Sequence, residues 1–249
     1  STNLQALTTA QAAKLSTTAV ANLTSTQLNL METSDVAALS TGQVAVLTST
    51  QLNALTSTNL QALTTTQMPG LSTTAVANLT TTQLNLLETS DVAALSTGAV
   101  ASLTSTQLNA LTSTNLQALS TVQNGVLTST QAANLTSTQL NLMQTSDVAA
   151  LGTAAVASLT STQLNALTST NLQALTTAQA GALTTTQASN LSSTQLNLLQ
   201  TSDLAALGSA AVASLTSTQV NALTSTNLQA LTTAQAAKLS TTAVANLTS

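Results

Sequence analysis

From Leu7 to Leu247 every eighth residue is leucine, with methionine in its place only at Met31 and Met143. The consensus octet reads Leu, Ser/Thr, Ser/Thr, a small residue, Gln/Asn/Asp/Ala, Leu/Val, any residue and a second small residue. No single regular element can honour this period. The apolar residues at octet positions one and six are spaced alternately by five and three. Five is odd, so successive anchors would fall on opposite faces of a continuous strand. Along a continuous helix eight residues advance about 800°, and the apolar stripe slips by roughly 80° per octet. The chain must therefore turn once in every unit.

A short helix that restarts in each octet meets this constraint. In Leu103-Thr104-Ser105-Thr106-Gln107-Leu108, Thr104 is a good N-cap, and Gln107 three residues later completes a capping box by reaching back to the amide of the cap. Leu103 and Leu108 then stand where a hydrophobic staple fixes the entry of the chain, and Leu108 to Leu111 is one helical turn. Helices this short are not stable alone in water, so neighbouring coils must hold them. The expected fold is all-α, a repeat solenoid of very short capped helices, one per octet, running through residues 1–249 as a single tract. Its surface is expected to be a coat of Ser, Thr, Asn and Gln. The alternative is a β-solenoid, favoured by the strand preference of Thr and Val. Against it stand the scarcity of glycine at the octet corners and the helix preference of Ala, Leu and Gln.

Two longer periods overlie the octet. The phrase STNLQAL begins at Ser1, Ser57, Ser113, Ser169 and Ser225, a step of seven octets that Asp35, Asp91, Asp147 and Asp203 share. Residues 1–25 are identical to 225–249, whereas the corresponding stretches from Ser57, Ser113 and Ser169 differ. This implies a 224-residue unit of four 56-residue variants and points to a longer parent protein built by its amplification. Once in each variant an octet ends in AAK, MPG, NGV or AGA, where the apolar anchor is weakened and Pro69 and Gly70 disfavour a helix. That octet is expected to be a loosely packed seam, open to contact with another chain.

Composition narrows the chemistry. The chain has no His, Cys, Arg, Trp, Tyr or Phe, and its charged residues are Lys14, Lys238 and six acids, 3% of the whole. Two lysines cannot neutralise a run of phosphates and no aromatic ring can stack a base, which excludes nucleic acid as a partner. Ser or Thr interrupts every octet, so no apolar run reaches the roughly 20 residues a membrane span needs. Without His or Cys the Ser-His and Cys-His arrangements are impossible, and Lys14 as the base of a Ser-Lys pair competes with its plainer reading as a solvated side chain. No catalytic residue and no cofactor is expected. Glu32 with Asp35, and Glu88 with Asp91, have a spacing that would put both acids on one helical face, where they could take a hard cation such as calcium. The plainer reading comes first: the same aspartates are favoured at a third helical position by capping and the helix dipole, and the glutamates become Gln144 and Gln200 in later copies, so no metal is expected. Asn22, Asn78, Asn134, Asn190 and Asn246 open N-x-Ser/Thr glycosylation patterns. Their plainer role is to end one helix in a left-handed C-cap before the next leucine.

The phrase Leu-Thr-x-x-Gln-Leu-x-x-Leu, as in Leu47 to Leu55 and Leu103 to Leu111, resembles the LTTxQ octet tracts of very large bacterial cell-surface and adhesin-like proteins. The resemblance covers the whole chain and rests on the style of the repeat. It implies an extracellular, fibrous role, although the RTX calcium nonapeptide that often accompanies such proteins is missing. The resulting expectation is a structural segment of an extracellular filament or cell-surface stalk that associates with copies of itself through uncharged side chains. The alternative is an adhesin-type surface that binds glycan or ice through repeated hydroxyls.

Overall fold

The computed structural model describes residues 2–245 and 247, which form α-helices of four to six residues and one 3-10 turn, Met68–Gly70. No strand occurs among the described residues, so the all-α solenoid holds and the β-solenoid does not. The chain divides into two compact units, Ser1–Val126 and Leu127–Ser249, although the octet period passes through their boundary unbroken.

The octet corner is built from two extended residues. Leu103 closes one helix at φ −58° and ψ 136°, and Thr104 caps the next at φ −70° and ψ 156°. The second extended residue presents its hydroxyl to the next helix, where Thr104 Oγ1 accepts from the Gln107 N–H at 3.1 Å. Both residues lie in a region open to any L-amino acid, and no described residue has positive φ. This is why the corners need no glycine.

Three octets make one coil. In the first unit Ser25–Asn29 packs against Ser49–Ala54, a step of three octets, and Thr73–Ala77 against Thr97–Ser102. In the second unit Ser129–Asn134 packs against Thr153–Ser158, and Thr177–Gly181 against Thr201–Ala206, at the same step. The leucine at position one and the Leu or Val at position six point inward together. Leu103 and Leu108 are both buried, Leu108 completely. Each such side chain contributes about 1.5–3 kcal/mol, which compensates for helices too short to persist alone.

The irregular octets are not a loose seam. Met68 is fully buried, and a Cβ placed on Gly70 would lie 2.8 Å from the Thr41 carbonyl oxygen. A Cβ on Gly181 would likewise lie 3.0 Å from the Ala206 carbonyl oxygen. Gly70 and Gly181 therefore stand where adjacent coils approach closely. Nor can these octets line up on one face. Seven octets exceed two full coils by one, so the irregular octets that open at Leu63 and Leu119 lie on different sides of their unit.

Candidate functional site

The chemistry of this molecule is concentrated between its coils, at octet positions five and seven. Glutamine at position five works at both ends of its amide. In the octet of Thr48 and Gln51, Gln51 Oε1 accepts from the Thr48 N–H at 2.7 Å while Thr48 Oγ1 accepts from the Gln51 N–H at 3.2 Å, the reciprocal pair expected from sequence. Gln51 Nε2 then donates to the Leu23 carbonyl at 2.7 Å, 28 residues earlier, and more weakly to Val20, 31 residues earlier. Gln163 repeats this in the second unit, donating to Leu135 at 2.6 Å and Ala132 at 3.0 Å. These glutamines are buried, so the coat expected to include them consists chiefly of serine and threonine. Even where Pro69 reduces the helix to a 3-10 turn, Gln67 holds the Thr64 N–H at 2.7 Å and the Leu39 carbonyl at 2.6 Å.

Asparagine at position seven forms a second ladder. Asn53 Nδ2 donates to the Asn78 carbonyl at 2.7 Å, and its Oδ1 accepts from the Thr80 N–H at 2.8 Å. Asn29, Asn85, Asn141, Asn165 and Asn197 make the same two bonds to the following coil. The recipient caps Thr56, Thr112, Thr168 and Thr224 have asparagine three residues later in place of glutamine. At these caps, and also at Thr80 and Ser192 where Gln83 and Gln195 follow, an asparagine of the neighbouring coil supplies the acceptor for the cap N–H. Together the two ladders satisfy the helix-end groups that a short helix leaves open.

Aspartate takes position five once in every seven octets. The structure places Glu32 and Glu88 at extended N-caps outside the helix, exposed, while Asp35 and Asp91 are buried at its third position. The glutamate of each pair is thus exposed while its aspartate is buried, and among the described residues no group of three or more His, Cys, Asp or Glu could hold a metal. Asp35 Oδ1 accepts from the Thr9 hydroxyl at 3.0 Å, 26 residues earlier, and its Oδ2 is buried without a partner, as is Oδ2 of Asp203. Burial raises the Asp91 carboxyl above its ordinary pKa, and the charge of Glu88 adds to that rise. The Glu88 N–H and the Thr65 hydroxyl donate to Asp91 and act against it. Burial raises Asp203 as well, opposed by the Gln200 N–H. The helices of Asp35, Asp91 and Asp203 pack against the irregular octets that open at Leu7, Leu63 and Leu175. The two irregularities of the seven-octet period therefore meet at one junction.

Asn22 and Asn78 stand at C-caps, and Asn134 and Asn190 are the last residues of their helices. The cap is not left-handed: φ is −92° at Asn22 and −107° at Asn78. Their Nδ2 groups donate to carbonyls four residues earlier at 2.8 Å, which closes the helix without the strained conformation. Asn246 lies outside the described residues. Lys14 and Lys238 are exposed. Among the described residues no pocket opens and no helix is long and apolar enough to cross a membrane.

A family model described as the ALTTAQ repeat matches residues 29–65, 85–121, 140–177 and 196–233. A search of the curated proteins found no match.

Proposed function

The chain belongs to the ALTTAQ repeat family, and from that premise we propose that it is a structural segment of an extracellular filament or cell-surface stalk. The observation that carries this reading is the pair of amide ladders. Gln51, Gln67 and Gln163, with Asn53 and Asn165, use their buried or half-buried amides to tie one coil to the next. Such a design supplies continuity along a stack, the property a stalk requires. It also accords with the likeness of the octets to tracts of large bacterial surface proteins. On this reading the chain is no enzyme, because His, Cys and Tyr are missing and the one candidate base, Lys14, is a solvated side chain.

Lateral association belongs to the same reading. Apart from Glu32 and Glu88, the exposed residues at octet positions two to four, such as Thr184, Thr185 and Thr186, carry no charge to keep copies apart. Sedimentation across a wide concentration range, with electron microscopy of the same samples, tests this. Concentration-dependent bundles or fibres are expected, and a monomer at every concentration would overturn lateral association. Digestion of intact source cells by an added protease tests the location. Release of chain fragments is expected, and protection until the cells are lysed would overturn it. A second reading, an adhesin-type surface for glycan or ice, draws on the same exposed hydroxyls and predicts thermal hysteresis or retention on a glycan array.

A further inference from the structure

Asp203 occupies a seat built for a hydrogen-bond donor. In neighbouring octets of the second unit glutamine fills this position, and its Nε2 points at two carbonyls of the preceding coil: Gln179 donates to Leu151 at 2.7 Å and Val148 at 2.9 Å, and Gln187 to Leu159 at 2.7 Å and Val156 at 2.9 Å. The same 28- and 31-residue offsets from Asp203 lead to Leu175 and Leu172. A side chain of aspartate's length reaches such carbonyls, since Asn171 donates to Leu140 at 3.0 Å and Met143 at 3.3 Å. Asp203 is only 2% exposed, and its Oδ2 has no partner.

No cation on the neighbouring elements compensates a charge there. The helix of Asp203, Thr201–Ala206, packs against Thr177–Gly181 and Ser225–Gln229, and neither carries an ionisable residue. A Cβ on Gly181 would stand 3.0 Å from the Ala206 carbonyl oxygen, so the two coils meet too closely for a solvating water layer. A carboxylate would set an anionic oxygen against the carbonyls of the preceding coil, whereas a carboxylic acid supplies the hydrogen that the glutamine amide supplies elsewhere.

We propose that Asp203 is a proton-holding junction: in the folded chain it is a carboxylic acid whose O–H donates to the Leu172 and Leu175 carbonyl pair, and loss of that proton loosens the contact between two coils. No bond is broken other than O–H, and the proton leaves to solvent. The raised pKa of Asp203 agrees with this placement. Because the folded carboxyl holds its proton more tightly than the unfolded one, its contribution to stability is complete below the ordinary aspartate range and is lost as pH rises through the folded value.

The test is a carboxyl-carbon NMR titration of the full chain with labelled aspartate, the Asp203 signal being assigned by through-bond backbone correlation in the parent chain and checked with Asp203→Asn. Asp203 is expected to titrate above the ordinary carboxylate range; titration at or below that range overturns the proposal. Stability supplies the second readout. Asp203→Asn, which keeps the donor, is expected to raise the melting temperature at neutral pH and to flatten its decline between acid and neutral pH. An unchanged pH dependence in a folded variant overturns the proposal. A variant that fails to fold overturns the claim that an amide fits the seat, and the titration of the parent chain still decides the proton.

Discussion

Glutamine at octet position five joins two parts of this fold, because an amide such as that of Gln163 closes a helix start and a coil junction together. Replacing Gln163 by Ala removes the acceptor for the Thr160 N–H and the donor to Leu135 and Ala132. The expected loss is about 2–4 kcal/mol, since buried polar groups are left without partners. Thr160→Ala removes only the hydroxyl that accepts from the Gln163 N–H and is expected to cost about 1 kcal/mol. Urea denaturation of the two variants checks the order. The capping half of this arrangement is legible from Thr-x-x-Gln alone because its partners are three residues apart. The other half depends on a carbonyl of the preceding coil, and no local pattern reveals how many octets close a coil. For the same reason the buried glutamines read as surface residues, and Asp91 and Asp203 read as plain caps when they sit between coils.

Among the elements, the short helices differ in how closely they approach the coil beneath, and glycine records the difference. Gly42 has nothing nearer than 3.9 Å to an added Cβ, whereas Gly70 would meet the Thr41 backbone at 2.8 Å. Gly42→Ala, inside the helix Thr41–Ala45, is expected to stabilise by about 0.5–1 kcal/mol through helix propensity. Gly70→Ala is expected to destabilise by about 1–3 kcal/mol through overpacking. Melting temperatures that move in opposite directions would verify both. The weak anchors of AAK, MPG, NGV and AGA suggested loose packing because sequence shows the missing side chain and not the neighbour that moves in. The left-handed C-cap failed for a related reason: with two extended corner residues available, Asn22 and Asn78 close their helices by side-chain donation instead.

For the whole molecule, the need for a turn in every octet was dictated by a period that suits neither strand nor continuous helix. The three-octet coil was not, because the octets are too alike for sequence to say which of them are neighbours. The chain contains no cysteine, and this allows the coil to be measured directly. Thr73 and Gly98 are both exposed and lie in helices one coil apart, and a Cβ on Gly98 would stand 3.3 Å from Thr73 Cγ2. That proximity suits a disulfide once both are cysteine. Oxidation of the Thr73→Cys, Gly98→Cys chain should give a monomeric cross-link, and the Thr81→Cys, Gly98→Cys chain, displaced by one octet, should give none under the same conditions. A cross-link in the displaced pair, or none in the first, would contradict a coil of three octets.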